Sequence, residues 1–287
     1  TFAFAQVGTN CGLAGQNACV EVDGAAYWMS ENGFFRYAGR LESLPCLVED
    51  FVYDNINLDS GNQMISAGLN NLFGEVIWFY PETGSSVVNR MVAYNYFDSS
   101  PQRPVWTVGS LARTMWEDSA VFGSPHALEY TAGNDSSFDV VGNTEGRTIY
   151  YEHETGTDQV QGGATTAIVA SIESGDFDIT QQRSAQGTQT GVATFRGDGE
   201  YLMKIRRFVP DFISQTGNTQ ITFLLRDFPN DTQASSALGP FTISSSTKKV
   251  DTRARARAVA LKIANTTTNQ SWKLGTFRLD IQPDGRR

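Results

Sequence analysis

The sequence predicts an all-β chain with very little helix, and three observations carry that expectation. Glycine is frequent, at 27 of 287 residues, and Phe, Trp and Tyr make up 11%; this mix favours many short strands joined by tight turns. Short apolar-alternating runs recur along the chain, separated by Gly, Pro, Asn and Asp. Only one segment carries helical spacing. Hydrophobic residues at 40% against 18% charged place the chain among globular rather than disordered proteins.

In the first half, Ala26-Tyr27-Trp28-Met29 and Phe34-Phe35-Arg36-Tyr37 flank Glu31-Asn32-Gly33, a strong hairpin signal. Strands are expected at 75–80, 90–95, 105–108 and 148–153. Aromatic strands at such spacing resemble propeller blades or sandwich sheets, although no clean period of roughly 40–50 residues marks a regular repeat. The single helix is placed near 45–57. Pro45 stands at its start, Glu49 and Asp50 in its first turns, and Leu47, Phe51 and Val52 at helical spacing.

Residues 154–166 are polar and glycine-rich and mark the candidate boundary. The chain thus divides into a propeller-like region over 1–160 and a C-terminal region over 161–287. The latter reads as a separate β-sandwich, or as strands completing the first domain. Its strands are expected at 168–172, 201–209, 220–226, 241–244, 254–263 and 277–281, with a polar mobile loop at 180–190.

The formal charge is −9 and unevenly placed. Residues 1–150 hold 17 acids and 6 bases, a net −11, whereas 151–287 hold 14 and 16, a net +2. An acidic body does not suit tight DNA binding, which needs Lys and Arg on phosphates. It suits a surface past which DNA slides without sticking. No run of about 18 apolar residues exists, so no membrane-spanning segment is expected. The chain begins without Met, and its apolar first residues lack the flanks of a signal peptide. It is therefore expected to be processed, or to be the C-terminal part of something longer.

Catalytic and metal constellations do not assemble from these residues, so no catalytic, metal or cofactor site is expected. There are two histidines, His126 and His153, and no G-x-S-x-G elbow. His153 stands between Glu152 and Glu154 and reads as a solvated strand end. Cys11, Cys19 and Cys46 fit no zinc spacing. Buried free thiols are the preferred reading over a Cys11–Cys19 bridge. Asp176-Phe177-Asp178 and Asp198-Gly199-Glu200 come nearest to a calcium loop without matching its twelve-residue pattern, so they read as turns. The sequons at Asn134, Asn230, Asn265 and Asn269 are a weak glycosylation signal.

Arg253-Ala254-Arg255-Ala256-Arg257-Ala258 is the sharpest local pattern. On a strand, Arg253, Arg255 and Arg257 share one face and the alanines the other, a thin face that another sheet can approach closely. The arginines ask for anionic partners, either carboxylates of a neighbouring subunit or a phosphate backbone. The plain alternative is an edge strand protected by charge. Val259, Leu261 and Ile263 continue the arginine face and read as buried, as if one strand ran from an interface into a core.

Several stretches together bring a family into view. They are Gly8-Thr9-Asn10-Cys11-Gly12-Leu13, Tyr27-Trp28-Met29-Ser30-Glu31-Asn32-Gly33-Phe34-Phe35-Arg36-Tyr37 and Leu44-Pro45-Cys46-Leu47-Val48-Glu49-Asp50-Phe51-Val52. Glu75-Val76-Ile77-Trp78-Phe79-Tyr80-Pro81, Tyr150-Tyr151-Glu152-His153-Glu154 and the terminus Arg278-Leu279-Asp280-Ile281-Gln282-Pro283-Asp284-Gly285-Arg286-Arg287 follow. In order and number these resemble the C-terminal portion of the tail nozzle or hub proteins of short-tailed bacteriophages, also called packaged-DNA stabilisation proteins. The resemblance implies a propeller-like body in a ring, a hexamer, below the portal and adaptor. It implies a channel that retains viral DNA until ejection, in the tail of a virion assembled in the host cytoplasm. It carries over no catalytic residue. Family members have further propeller sequence ahead of this point, which is expected on the same polypeptide or lost. About six copies at −9 each would place roughly −54 around the channel, repelling DNA. The competing expectations are a carbohydrate-binding or carbohydrate-cleaving β protein, such as a receptor-binding tail component, and a secreted adhesin or lectin.

Overall fold

The run Glu75-Val76-Ile77-Trp78-Phe79-Tyr80 is apolar at consecutive positions because both faces of its strand are covered. Val76, Trp78 and Tyr80 enter one buried cluster, and Ile77 and Phe79 enter another on the opposite face. The computed structural model describes residues 5–59, 61–118, 121–131, 146–179, 201–228, 231 and 236–285. It is nearly all β and falls into two units, Thr1–Thr155 and Gly156–Arg287. The division lies inside the polar glycine-rich stretch, a few residues ahead of the 160/161 boundary the sequence suggests.

The first unit is built from three successive antiparallel meanders. The first comprises β1 (Cys19–Val22), β2 (Ala25–Ser30), β3 (Gly33–Tyr37) and β4 (Leu41–Leu44). The second, after the helix α1 (Glu49–Tyr53), comprises β5 (Ser66–Asn70), β6 (Glu75–Tyr80), β7 (Arg90–Asn95) and β8 (Trp106–Gly109). The third comprises β9 (Met115–Glu117), β10 (His126–Thr131) and β11 (Arg147–Glu152), with β10 in the middle. The middle meander lies between the other two. Trp78 and Tyr80 pack with Tyr27, Met29 and Phe34 of the first sheet, whereas Phe79 packs with Trp116 and Ala127 of the third. Burying side chains of this size contributes about 1.5–3 kcal/mol each before entropy is counted, so the two seams hold the three sheets together.

The turns follow from residue chemistry. Asp23 and Gly24 join β1 to β2 with φ of 49° and 79°, the two left-handed positions of a type I′ hairpin. The expected hairpin at Asn32-Gly33 exists, but its two loop residues are Glu31 and Asn32. Gly33 already pairs with Ser30, at a φ of 131° that favours glycine.

The helix is shorter than the expected 45–57. Backbone pairing competes with it: Asn57 N–H bonds to Pro81 O, Thr83 N–H bonds to Asn55 O, and Ile56 bridges Glu82. Residues past Asp54 therefore join the strand side of the unit. Glu49 and Asp50 sit in the first turn, as expected.

The second unit is a two-layer sandwich with two smaller pairings. Its strands are β12 (Asp158–Gln161), β13 (Ala164–Ala167), β14 (Ser171–Glu173), β15 (Met203–Val209), β16 (Phe212–Thr216) and β17 (Thr219–Arg226). They continue with β18 (Ser236–Ile243), β19 (Val250–Ala256), β20 (Ala258–Ala264), β21 (Ser271–Leu274) and β22 (Arg278–Pro283). One sheet runs β14-β20-β17-β18 and the other β19-β15-β22, while β12 pairs β13 and β16 pairs β21. Ile205, Phe208, Ala254 and Ala256 of the second sheet share a core with Ile221, Phe223, Val259, Leu261 and Ile263 of the first.

Three expectations are corrected here. The strand expected at 168–172 is interrupted, because the Asn265 side chain accepts from Ala170 N–H and donates to Ile168 O in place of ladder partners. The strand expected to run through 254–263 is two strands in two sheets. Cys11 and Cys46 are half-buried and Cys19 is exposed, all as free thiols. Burial pushes the Cys46 thiol up to about 11. The loop expected at 180–190 lies outside the described residues. No helix among those residues is long and apolar enough to cross a membrane.

Candidate functional site

The arginine strand is β19, an edge strand of its three-stranded sheet. Thr252, Ala254 and Ala256 point into the core, and Thr252 Oγ1 donates to Ile205 O over 2.6 Å. The opposite face turns Asp251, Arg253 and Arg255 to solvent. Arg257 does not join them. It sits between β19 and β20, half-buried, with its backbone N–H on Arg226 O at 3.2 Å. The chain changes sheet at this residue. Even-numbered residues are buried before it, and Val259, Leu261 and Ile263 are buried after it. The arginine face thus becomes the core face across one bend, a step that alternation alone does not reveal.

This face carries its own counter-charges. Arg255 Nε donates to Asp284 Oδ2, and Arg207 Nε donates to Asp251 Oδ1 over 2.8 Å. Lys249 Nζ stands 3.1 Å from Asp251, and together the two bases hold the Asp251 carboxyl below the usual carboxylate range. Lys204 lies opposite Arg255 in the ladder, so like charges face each other there. Arg253 has no ion-pair partner among the described residues.

His153 is not a solvated strand end. It follows β11, half-buried, with its ring centroid 4.6 Å from that of Trp116. Arg113 Nε donates to its Nε2 over 2.9 Å. Arg113 also donates to Glu129 Oε2 at 2.6 Å and lies 3.9 Å above the Tyr151 ring. Burial first and the Arg113 charge second push the imidazole down to about 4. With Nε2 occupied and the ring neutral, the histidine secures the third meander. His126 packs against Phe122 with the two rings tilted, and touches Tyr150 Oη.

Asp176 is engaged by Arg226, and Asp198, Gly199 and Glu200 lie outside the described residues. Among the described residues, no group of three His, Cys, Asp or Glu side chains could hold a metal ion. Asn265 is 3% exposed and cannot accept a glycan in the folded chain, whereas Asn134 and Asn230 lie outside the described residues.

One feature escapes sequence reasoning. A cavity of about 310 Å³ in the first unit is lined by Asn71, Leu72, Asp118, Ser124, Pro125 and Glu154. These residues come from three separate stretches and form no motif. Neither a protein-family model nor a curated protein sequence matches the chain.

Proposed function

We propose that this chain is a non-enzymatic wall subunit of a short-tailed phage tail nozzle or hub. On this reading it assembles with copies of itself into a ring, a hexamer, below the portal and adaptor. The ring forms a channel that retains packaged DNA and takes part in ejection, in the tail of a virion assembled in the host cytoplasm.

The row of three sequence-adjacent meanders in the first unit carries this reading. Its middle sheet is covered on both faces, the arrangement from which propeller blades are made. Charge supports it as well: Thr1–Thr155 holds 19 acids and 6 bases, and Gly156–Arg287 holds 12 and 16. An acidic unit facing a channel repels DNA, and a basic unit offers arginines to anionic neighbours. Electron microscopy of the purified chain, and of intact particles, tests the reading. Rings at the tail end are the expected image, and a basic channel wall would overturn the acidic lumen. A lone monomer that turns over a substrate would overturn the whole assignment.

The carbohydrate reading needs aromatic and carboxylate side chains converging on a cleft. The cavity of the first unit supplies Asp118 and Glu154 but is not lined by an aromatic ring. A glycan array separates the two readings, silence favouring the wall subunit.

A further inference from the structure

The solvent face of the sheet β19-β15-β22 gathers more positive charge than the fold uses. Lys204 and Arg255 stand directly opposite each other in the ladder, a like-charge pair that costs stability. Next to them the register shifts. Ile205 pairs with Ile281 and Arg207 with Asp280, so Arg206 is an extra residue with no place in the ladder to β22. Towards β19 it falls between the positions paired with Ala254 and Asp251, beside Arg253. Arg206 and Arg207 therefore both stay out of the core that Ile205 and Phe208 enter on either side of them. Irregularities of this kind re-aim side chains and recur next to functional surfaces. Arg207 is matched by Asp251, with Asp280 as its other ladder partner. Lys204, Arg206, Arg253 and Arg255 form a block beyond them. Of these four, only Arg255 has an ion-pair partner among the described residues, Asp284.

Such a block calls for an anion, and the residues around it decide which class. The core of a protein–protein contact is apolar and aromatic, with charge depleted. Here every outward residue of β19 is charged, as is every one from Lys204 to Arg207 on β15, and Arg278, Asp280 and Gln282 follow on β22. Nucleic-acid interfaces have this opposite character, polar and strongly positive. No aromatic ring stands at these positions, so the face offers no platform on which single-stranded bases stack. A three-stranded sheet is also too broad for the major groove, which admits a helix or a two-stranded ribbon. We propose that this face binds the phosphodiester backbone of double-stranded DNA without reading its sequence, through Lys204, Arg206, Arg253 and Arg255. Arginine suits the task because its planar fork meets two phosphate oxygens at once. The contact belongs to the second unit alone and stands whether or not copies form a ring. It adds a holding surface to a chain whose first unit, with 19 acids against 6 bases, repels DNA.

Fluorescence anisotropy of a short labelled DNA duplex, titrated with the full chain over a range of salt, tests this. Four phosphate contacts predict a slope of log affinity against log salt of about −3.6, at about −0.9 per contact. Arg206→Gln combined with Arg253→Gln is expected to weaken binding roughly tenfold or more at low salt and to bring the slope to about −1.8, with an unchanged thermal midpoint. Duplexes of different sequence are expected to bind alike, and Arg40→Gln, at an exposed base of the first unit, to bind as the wild type does. A wild-type chain without salt-dependent affinity for the duplex overturns the proposal and leaves the ring reading standing, because sedimentation velocity reads ring formation separately. An equal loss of affinity in Arg40→Gln overturns it too. If the double variant keeps its DNA affinity but loses the wild type's rings, the face is a subunit contact and the proposal falls. A monomer that binds the duplex through these arginines supports it although the ring reading fails.

Discussion

Arg113 Nε donates to His153 Nε2 across 2.9 Å, so a permanent cation rests against a neutral imidazole behind the third meander. The pair links the residue after β11 to the segment before β9, and Glu129 completes it from β10. A proton on His153 would remove the acceptor and set two cations side by side.

Stability should therefore fall on acidification through His153. Its ordinary value is 6.5 and its folded value about 4, so the unfolded chain takes up the proton first. The contribution is fully present above pH 6.5 and is lost as pH falls towards 4, by up to about 3 kcal/mol at 1.36 kcal/mol per unit. Glu75 and Glu154 act the other way, because folding raises both carboxyls and protonation in acid favours the fold. The difference between wild type and His153→Gln isolates the histidine. Urea midpoints at pH 7 and pH 4.5 should diverge for the wild type and draw together in the variant.

Gly68 on β5 has no side chain because Trp116 of the third meander lies on it. A Cβ there would stand 2.6 Å from Trp116 Cδ1, and the indole is held by its Nε1 bond to Leu69 O at 2.9 Å. Gly68→Ala should cost about 1–3 kcal/mol by forcing the two sheets apart. Urea denaturation should show an earlier midpoint, and Trp116→Leu in the same chain should recover part of the loss.

The alternating strand β19 allows a paired experiment. Ala254 and Ala256 are fully buried between the two sheets, and Arg253 faces solvent. Ala254→Leu should destabilise the second unit by about 1–3 kcal/mol through overpacking. Arg253→Ala should stay within about 0.5 kcal/mol of wild type. Equal effects on the thermal midpoint would refute the assignment of faces.

Much of the architecture was legible where apolar period and turn chemistry agree. The continuous run of β6 and the strands of β7, β17 and β22 lie close to where alternation places them. What could not be read depends on partners distant in sequence. The helix stops at Tyr53 because residues 55–57 pair with 81–83, and local propensity carries no trace of that. The bend at Arg257 inverts the buried face without breaking the odd–even pattern. Asp118 and Glu154, just past β9 and β11, share a cavity with Asn71 and Leu72 after β5, a wall far from them in sequence. The Asp23-Gly24 turn, by contrast, was a readable signal that the aromatic strands around it overshadowed.

Asn265 ends as a structural residue although it heads a sequon. Its Oδ1 accepts from Ala170 N–H at 3.0 Å and its Nδ2 donates to Ile168 O at 2.8 Å, so one buried amide replaces a stretch of ladder between β13 and β14. Removing it leaves the Ala170 N–H and the Ile168 C=O without this partner; both residues are exposed, so water replaces part of the loss and the cost should be about 1 kcal/mol. Asn265→Ala should therefore lower the thermal midpoint, and Asn265→Asp should recover only the accepting half. In a glycosylating host, peptide mapping should find Asn265 unmodified, because the amide nitrogen a glycan would need is sealed and bonded. A glycan there would mean that residues 168–170 detach from Asn265, and the loss of stability in Asn265→Ala would vanish with them.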